Sequence, residues 1–166
     1  MPHRTVPNTL ELDAVAWRIL EALQHNARQP FAEIGRQIGL STPAVAERVH
    51  RLEEAGVITG YNVELDIAKL GVPIRVLVRL TIPGGDLQIK RSVAAIKELN
   101  EISRCHRITG AESFVIEANV VSIRHLEALI DKLSVLGATS TSTVLSSPVQ
   151  RREYHARQVE AFAKYI

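Results

Sequence analysis

Apolar residues recur at helical spacing through residues 10–58. The Leu, Val and Ile side chains of residues 12–23 fall on one face of a helical wheel, which predicts a first amphipathic helix. A second helix is predicted from Pro30 to about Ile38. Proline is favoured in a first helical turn, and Gly39 is the residue type that commonly follows a last one.

A third helix is predicted to start after Ser41 or Thr42, since either side chain can accept a backbone N–H bond as an N-cap. Pro43 then lies in its first turn, and the helix is expected to end near Gly56. Three aliphatic residues at i, i+4 and i+7 predict its buried stripe: Val45, Val49 and Leu52. A short strand pair is predicted over Val57 to Val63, turning at Thr59 and Gly60.

Residues 73–147 change to a mixture of alternating and helical patterns. Strands are predicted over 75–82, 102–109, 113–121 and 141–149. One helix follows a turn at 84–86 and a second follows Ser122, with the inward stripe Ile123, Leu126, Ile130 and Leu133. The order β-α-β-β-α-β predicts a ferredoxin-like unit, and therefore an α+β protein.

The domain plan that follows has four parts. Residues 1–63 form a winged helical domain, 64–72 a linker with Gly71, 73–149 the ferredoxin-like domain, and 150–166 a helical tail. No apolar run reaches the roughly 18 residues that span a bilayer, and the N-terminus lacks a secretory pattern. We therefore expect a cytoplasmic protein without membrane contact.

Composition limits the candidate chemistry. Cys105 is the only cysteine, so neither an internal disulfide nor a cysteine-rich zinc site is expected. No two of the six histidines have the i, i+4 spacing of a helical metal pair, and we expect neither a metal nor a cofactor. The formal net charge is only +2, so nucleic-acid binding has to be argued from local placement of charge.

Three positions around the second and third helices have the spacing of a helix-turn-helix. Gly35 is small enough to allow close approach, Gly39 permits a left-handed turn, and Val45 pins the helix pair. With the buried stripe inward, the third helix turns Pro43, Glu47, His50 and Arg51 outward. Its flanking residues are Ser41, Thr42, Ala46 and Arg48.

This outward face suits the major groove of DNA. Arg48 and Arg51 can contact phosphates or guanine edges, and the N-cap residues can donate to phosphate. Glu47 can accept from cytosine or orient an arginine. The alternative is an ordinary solvated face, because Glu47, Glu53 and Glu54 accompany the two arginines.

Three stretches resemble the leucine-responsive/asparagine regulator (Lrp/AsnC) family: residues 12–20, 33–41 and 47–61. The βαββαβ half, with Thr109 and Gly110, resembles the family's regulatory (RAM) domain, so the resemblance covers about residues 10–148. It implies a transcriptional regulator that binds double-stranded DNA. It also implies homodimers, often assembled into octamers, and a small effector, commonly an amino acid, between regulatory domains.

The effector loop departs from the family pattern Thr-Gly-Asp-x-Asp-Tyr/Phe. The candidate effector residues here are Thr109, Gly110, Ala111, Glu112, Ser113 and Phe114. Two carboxylates are replaced, and Glu112 adds one between them. A free amino acid needs an acceptor for its ammonium group, so Glu112 substitutes, the ligand differs, or there is none.

An enzyme remains as the alternative function. Siroheme decarboxylases resemble this family in fold and process a tetrapyrrole, and Arg104, His106 and Arg107 offer cationic and imidazole groups for such a site. A Cys105–His106 nucleophilic pair is disfavoured, because adjacent strand residues point to opposite faces. Cys105 is instead expected to be a small buried residue.

Overall fold

A computed structural model describes residues 12–165 of the chain. The first eleven residues of the predicted DNA-binding domain, and Ile166 of the predicted tail, lie outside the described part. The described residues form two units, one containing residues 12–63 and 149–165 and the other residues 64–148. No helix between residues 12 and 165 is long and apolar enough to cross a membrane.

The first unit is built on three helices. They are α1 (Ala14–His25), α2 (Phe31–Ile38) and α3 (Thr42–Glu54), each within two residues of its predicted bounds. Asp13 caps α1 by accepting the Ala16 N–H at 2.6 Å. The core of this unit consists of buried aliphatic residues: Ala16, Ile19, Leu23, Ile34, Val45, Val49 and Leu52. The predicted stripe of α3 is therefore confirmed.

The predicted strand pair over Val57 to Val63 is wrong, because no residue of that segment lies in a strand. The N–H groups of Val57 and Ile58 both donate to the Leu52 carbonyl, at 2.9 and 3.1 Å. Gly56, at φ 69°, turns the chain back so that these bonds form. The end of α3 thus uses the N–H groups of Val57 and Ile58, which would otherwise be available for hydrogen bonds to a neighbouring strand.

The second unit has the predicted β-α-β-β-α-β order. Its elements are β1 (Ile74–Thr81), α4 (Asp86–Lys97), β2 (Ile102–Arg107), β3 (Phe114–Val120), α5 (Ile123–Ser134) and β4 (Ala138–Thr143). The strands form one antiparallel sheet in the order β2-β3-β1-β4, and alternate residues of β1 and β3 face the helices. This α+β arrangement confirms the ferredoxin-like prediction. A single 3-10 turn, Ile67–Leu70, lies in the predicted linker.

Several details of this unit differ from the predictions, among them the start of the last strand, which lies at Ala138 instead of Thr141. The last strand ends at Thr143 instead of continuing to Val149. Its partner β1 begins at Ile74, and after Thr143 the pairing continues only with the bond from Val144 N–H to Arg75 O. In α5, Leu129 is fully buried, whereas Ile123 is exposed in the first turn.

The chain's C-terminal segment belongs to the first unit. Its helix is α6 (Ala156–Ala163). The side chain of Gln24 on α1 donates to the Tyr154 carbonyl and accepts the Tyr154 N–H, both at 2.9 Å. Glu21 lies 3.1 Å from His155 Nδ1. The tail therefore packs on α1 of its own chain.

Candidate nucleic-acid interface

The turn between α2 and α3 depends on a missing side chain at Gly35. A Cβ added there would lie 3.4 Å from the Leu40 carbonyl carbon and less than 3.0 Å from its oxygen, closer than real Cβ atoms come. The Leu40 N–H donates to the Gly35 carbonyl at 2.9 Å and holds the two segments together. Gly39 ends α2 in the left-handed conformation, at φ 77°. These contacts explain why the spacing of Gly35, Gly39 and Val45 identifies a helix-turn-helix.

Helix α3 begins at the predicted cap and buries the predicted stripe. Ser41 Oγ accepts the Ala44 N–H at 3.4 Å. Val45 is fully buried, and Val49 and Leu52 are nearly so. The opposite flank carries the eight predicted contact residues: Ser41, Thr42, Pro43, Glu47, His50 and Arg51 are exposed, and Ala46 and Arg48 are partly buried. The structure therefore brings all eight to one helix and its cap.

The exposed charges of this flank pair along the helix. Arg51 Nη2 lies 2.8 Å from Glu47 Oε1, and Arg51 Nε donates to the same oxygen at 3.0 Å. His50 Nε2 lies 3.3 Å from Glu54 Oε1. Exposed i, i+4 pairs contribute only about 0.3–0.5 kcal/mol, so a phosphate or guanine edge can replace the carboxylate. Glu47 thus orients the Arg51 guanidinium along the exposed side of the helix without binding it tightly.

Arg48 has a different environment from Arg51. Its Nη1 lies 2.7 Å from Asp13 Oδ2, the carboxylate that caps α1. The Ala16 N–H, and then the Arg48 guanidinium, hold the pKa of Asp13 below its usual value. The side chain of Arg48 is 37% exposed, against 71% for Arg51. Arg48 therefore joins α3 to α1, and Arg51 is the more accessible of the two cations.

Two further positioning contacts involve residues to which the sequence analysis gave no role. Arg18 of α1 donates through Nη2 to the Gln37 carbonyl near the end of α2. Tyr61 donates its hydroxyl to Glu53 Oε1 at 2.8 Å, and partial burial together with this carboxylate raises the pKa of Tyr61 to about 12. The first contact fixes the α1–α2 pair, and the second attaches the segment after α3 to the helix. No local pattern indicates either contact, because both depend on tertiary packing.

The candidate effector loop joins β2 to β3, and two of its six residues have structural contacts. Ser113 Oγ accepts the Ile82 N–H at 3.0 Å, and its own N–H donates to the Leu80 carbonyl at 2.9 Å. Phe114 is 2% exposed in the core. Thr109, Gly110 and Ala111 are exposed, and Glu112 is partly buried. An effector site in this loop stays a prediction.

Strand β2 carries the cysteine, histidine and arginine residues that were considered for other chemistry. As an edge strand it is exposed at every position after Ile102. Cys105 is therefore exposed, and the expectation of a small buried residue is wrong. Arg107 lies 3.8 Å from Asp86, and Arg104 and His106 remain on the same exposed edge. Between residues 12 and 165, no three His, Cys, Asp or Glu side chains group as metal ligands.

Comparison with known families assigns both halves of the chain. Residues 12–53 match the AsnC-type helix-turn-helix domain. Residues 75–154 match the Lrp/AsnC ligand binding domain. The chain belongs to the Lrp/AsnC family. It is therefore a transcriptional regulator, as the resemblance in its recognition helix and regulatory half implied.

Individual members of the Lrp/AsnC family are similar over most of this chain. The HTH-type transcriptional regulator LrpC of Bacillus subtilis is 36% identical over 137 residues, which are 82% of this chain and 94% of that protein. The Leucine-responsive regulatory protein of Haemophilus influenzae is 33% identical, over 80% of this chain and 81% of that protein. The solved structure of B. subtilis LrpC superposes with a TM-score of 0.79 and covers 86% of this chain and all of that one. Nothing in these comparisons supports the tetrapyrrole enzyme alternative.

Proposed function

We propose that this Lrp/AsnC-family regulator binds double-stranded DNA sequence-specifically by placing α3 in the major groove. Arg51 is the principal base or phosphate contact in this proposal, and Glu47 orients its guanidinium. Ser41, Thr42 and Pro43 approach the phosphate backbone at the helix N-terminus, where the hydroxyl groups of Ser41 and Thr42 can donate and the helix dipole favours an anion. Ala46, Arg48 and His50 border the contact.

One observation carries this proposal. The side of α3 opposite Val45, Val49 and Leu52 is left exposed within its unit, and it presents the most accessible arginine of the helix. A helix fits the major groove when one flank is anchored and the other is free. An ordinary solvated helix has the same exposure, but the close approach of Gly35 to Leu40 and the left-handed Gly39 are the contacts that a helix-turn-helix requires between α2 and α3.

We propose further that the regulator acts in the cytoplasm as a homodimer or a higher oligomer such as an octamer. Two copies of α3 in a symmetric dimer would contact successive major grooves and so favour a nearly palindromic site. The proposed division is a DNA-binding head within residues 1–63, a linker over 64–72, a regulatory domain over 73–149 and a tail over 150–166. The loop Thr109–Phe114 remains a proposed effector site.

The test begins with a duplex that the wild-type full chain enriches from a randomised DNA pool. Binding of this duplex and of a scrambled duplex is then measured by fluorescence anisotropy at several salt concentrations. The test variant is Arg51→Ala. The matched control is Arg124→Ala, which removes the same charge from an exposed position on α5 in the other unit.

We expect Arg51→Ala to lose about 1–3 kcal/mol of affinity for the enriched duplex if it contacts a base edge. If the contact is a phosphate, the salt slope falls by about one unit for all duplexes. Arg48→Ala is expected to weaken binding less, because Asp13 already holds that side chain. Unchanged affinity in both variants, or an equal loss in Arg124→Ala, would remove α3 as the DNA-contacting surface.

A further inference from the structure

The tail segment, residues 149–165, carries a charge opposite to that of the helices on which it packs. Residues 12–63 contain five arginines, no lysine and six carboxylates, so their formal charge is −1 with histidine neutral. The tail segment contains three arginines, one lysine and two glutamates, so its formal charge is +2. The tail segment therefore reverses the sign of the net charge of the described first unit. Local positive charge is what attracts nucleic-acid phosphates, so its placement in the DNA-binding unit matters.

The other charged residues of the tail segment hold it on the end of α1. Glu153 Oε1 lies 3.6 Å from His25 Nδ1. His155 Nδ1 lies 3.1 Å from Glu21 Oε1. The backbone of the residue between them makes both of its hydrogen bonds to Gln24. Three consecutive residues thus attach the segment to the last five residues of α1.

This packing leaves three arginines of the tail segment exposed. They are Arg151, Arg152 and Arg157, which we call the tail arginines. Among residues 12–165 no ion pair involves any of the three, whereas Arg48 and Arg51 of α3 each have a carboxylate partner. A guanidinium group presents a planar set of donors that matches phosphate oxygens. The tail arginines can therefore bind phosphate without breaking an ion pair of the described residues.

The tail segment is attached next to the start of α2. His25 is the last residue of α1, and the N-cap of α2, Pro30, follows five residues later. Helix α2 has eight residues and is about 12 Å long, which is about the width of the major groove. In a helix-turn-helix the helix before the recognition helix crosses the phosphate backbone. With α3 in the groove, the start of α2 is thus expected over the bordering phosphate strand, with the tail segment beside it.

We propose that the tail arginines bind the phosphate backbone of the double-stranded DNA that this regulator contacts. The inference rests on the proposed function, because α3 in the groove decides which side of the unit faces DNA. Phosphate contacts of this kind add affinity and salt dependence without reading base sequence. The AsnC-type helix-turn-helix match ends at residue 53, so the tail arginines enlarge the DNA-binding surface beyond it.

The test compares variants of the full-length protein that differ in the charge of the tail segment. The alanine variant combines Arg151→Ala, Arg152→Ala and Arg157→Ala. The lysine variant replaces the same three residues with lysine and so keeps their charge. Binding of the enriched and the scrambled duplex is measured by fluorescence anisotropy from about 50 to 200 mM salt.

A matched control removes three charges from the other unit. It combines Lys90→Ala, Arg91→Ala and Lys97→Ala, at three exposed positions on α4. Denaturant unfolding followed by the fluorescence of Trp17 on α1 checks that the first unit is folded in every variant.

We expect the alanine variant to lose affinity for both duplexes by the same factor, because both carry the same phosphates. Each phosphate contact contributes about 0.9 to the slope of log affinity against log salt concentration. Three contacts therefore make the affinity of the wild type fall about 40-fold more than that of the alanine variant between about 50 and 200 mM salt. The lysine variant and the α4 control should keep the salt slope of the wild type.

Three results would overturn the inference. The first is a wild-type salt slope in the alanine variant. The second is an equal reduction of the slope in the α4 control, which would indicate an effect of net charge alone. The third is an equal reduction in the lysine variant, which would show that the charge of the tail arginines is not the cause.

Arg51→Ala and Arg48→Ala, measured in the same series, separate this inference from the proposed function. If Arg51→Ala weakens binding while the alanine variant keeps the wild-type slope, the tail contact is wrong and α3 remains the DNA-contacting helix. If both α3 variants bind as the wild type does while the alanine variant loses slope, the tail arginines bind phosphate and the role proposed for α3 is wrong.

Discussion

The substitution Gly35→Ala isolates the close approach on which the helix-turn-helix depends. The added methyl group would lie less than 3.0 Å from the Leu40 carbonyl oxygen and 3.5 Å from Val45 Cγ2. The obstructing atom belongs to the backbone, so no rotamer change relieves the contact. The turn has to move by about half an ångström in an interior that is packed as densely as a crystal.

The expected cost follows from two opposing effects. Inserting a methyl group into a closely packed site destabilises by about 1–3 kcal/mol, and a backbone obstruction belongs at the upper end. Alanine is a better helix former than glycine by about 1 kcal/mol, which offsets part of that cost. We therefore expect Gly35→Ala to lower the free energy of unfolding of the first unit by about 2 kcal/mol.

Denaturant unfolding followed by tryptophan fluorescence measures this loss directly, because Trp17 on α1 is the only tryptophan in the chain. The matched variant is Gly39→Ala, four residues away. Its Cβ would meet no atom within 4 Å, so its cost of about 1–2 kcal/mol comes only from the left-handed backbone. If Gly35→Ala is as stable as the wild type or more stable, the higher helix propensity of alanine is not opposed by any steric cost. The proposed close approach of Gly35 to Leu40 would then be wrong.

Three more substitutions test the core of the first unit, the Glu101 carboxylate, which lies 2.9 Å from Lys132 Nζ, and the close approach of Gly137 to Thr81. Val45→Asp should destabilise the first unit by about 3–5 kcal/mol by burying an unpaired charge, and a cooperatively folding variant that still binds DNA would show that the helix phase is wrong. The pKa of Glu101, about 2 instead of 4.5, means that its ionised form stabilises the fold above about pH 4.5 and that this contribution disappears as the pH falls towards 2. Because Lys132 is half exposed, we expect the ionised Glu101 to stabilise the fold by about 1–2 kcal/mol. The difference in unfolding free energy between the wild type and Glu101→Gln should therefore vanish at the acidic end of this pH range. A difference that stays constant with pH would contradict the role given to Glu101. Gly137→Ala should lower the thermal midpoint of the second unit, measured by circular dichroism, because its Cβ would lie within 3.0 Å of the Thr81 carbonyl oxygen; an unchanged midpoint would exclude that contact.

Local signals in the sequence predicted the helices of this chain well. Ser41 caps α3 and Gly39 ends α2 in the structure as the residue types indicated, since both effects act within one helical turn. The strands were less predictable because a strand needs a partner. The β-branched residues after Thr143 suit a strand, but beyond the pair of Val76 with Thr143 only Ile74 and Arg75 of β1 remain, too few for a strand that reaches Val149.

The candidate site likewise combines a feature that local sequence predicts with contacts that depend on the tertiary fold. The outward flank of α3 followed from helical periodicity alone. Periodicity could not predict that Arg51 is accessible while Asp13 holds Arg48, because Asp13 lies 35 residues away from Arg48 along the chain. The grouping of Glu101 with His125 and Lys132 was also missed, since only the tertiary fold brings these residues together. Tertiary contacts thus decide which of the plausible polar residues are free to bind.

The packing of the tail on α1 changes what a shortened version of this protein would be. Residues 149–165 belong to the same unit as residues 12–63, and the hydrogen bonds between Gln24 and Tyr154 join them. The ligand-binding unit is therefore an insertion within the DNA-binding unit, and the chain passes between the two units twice. Deleting the last residues would trim the head and leave the regulatory unit intact, and an isolated head would have to be assembled from two separate stretches of sequence.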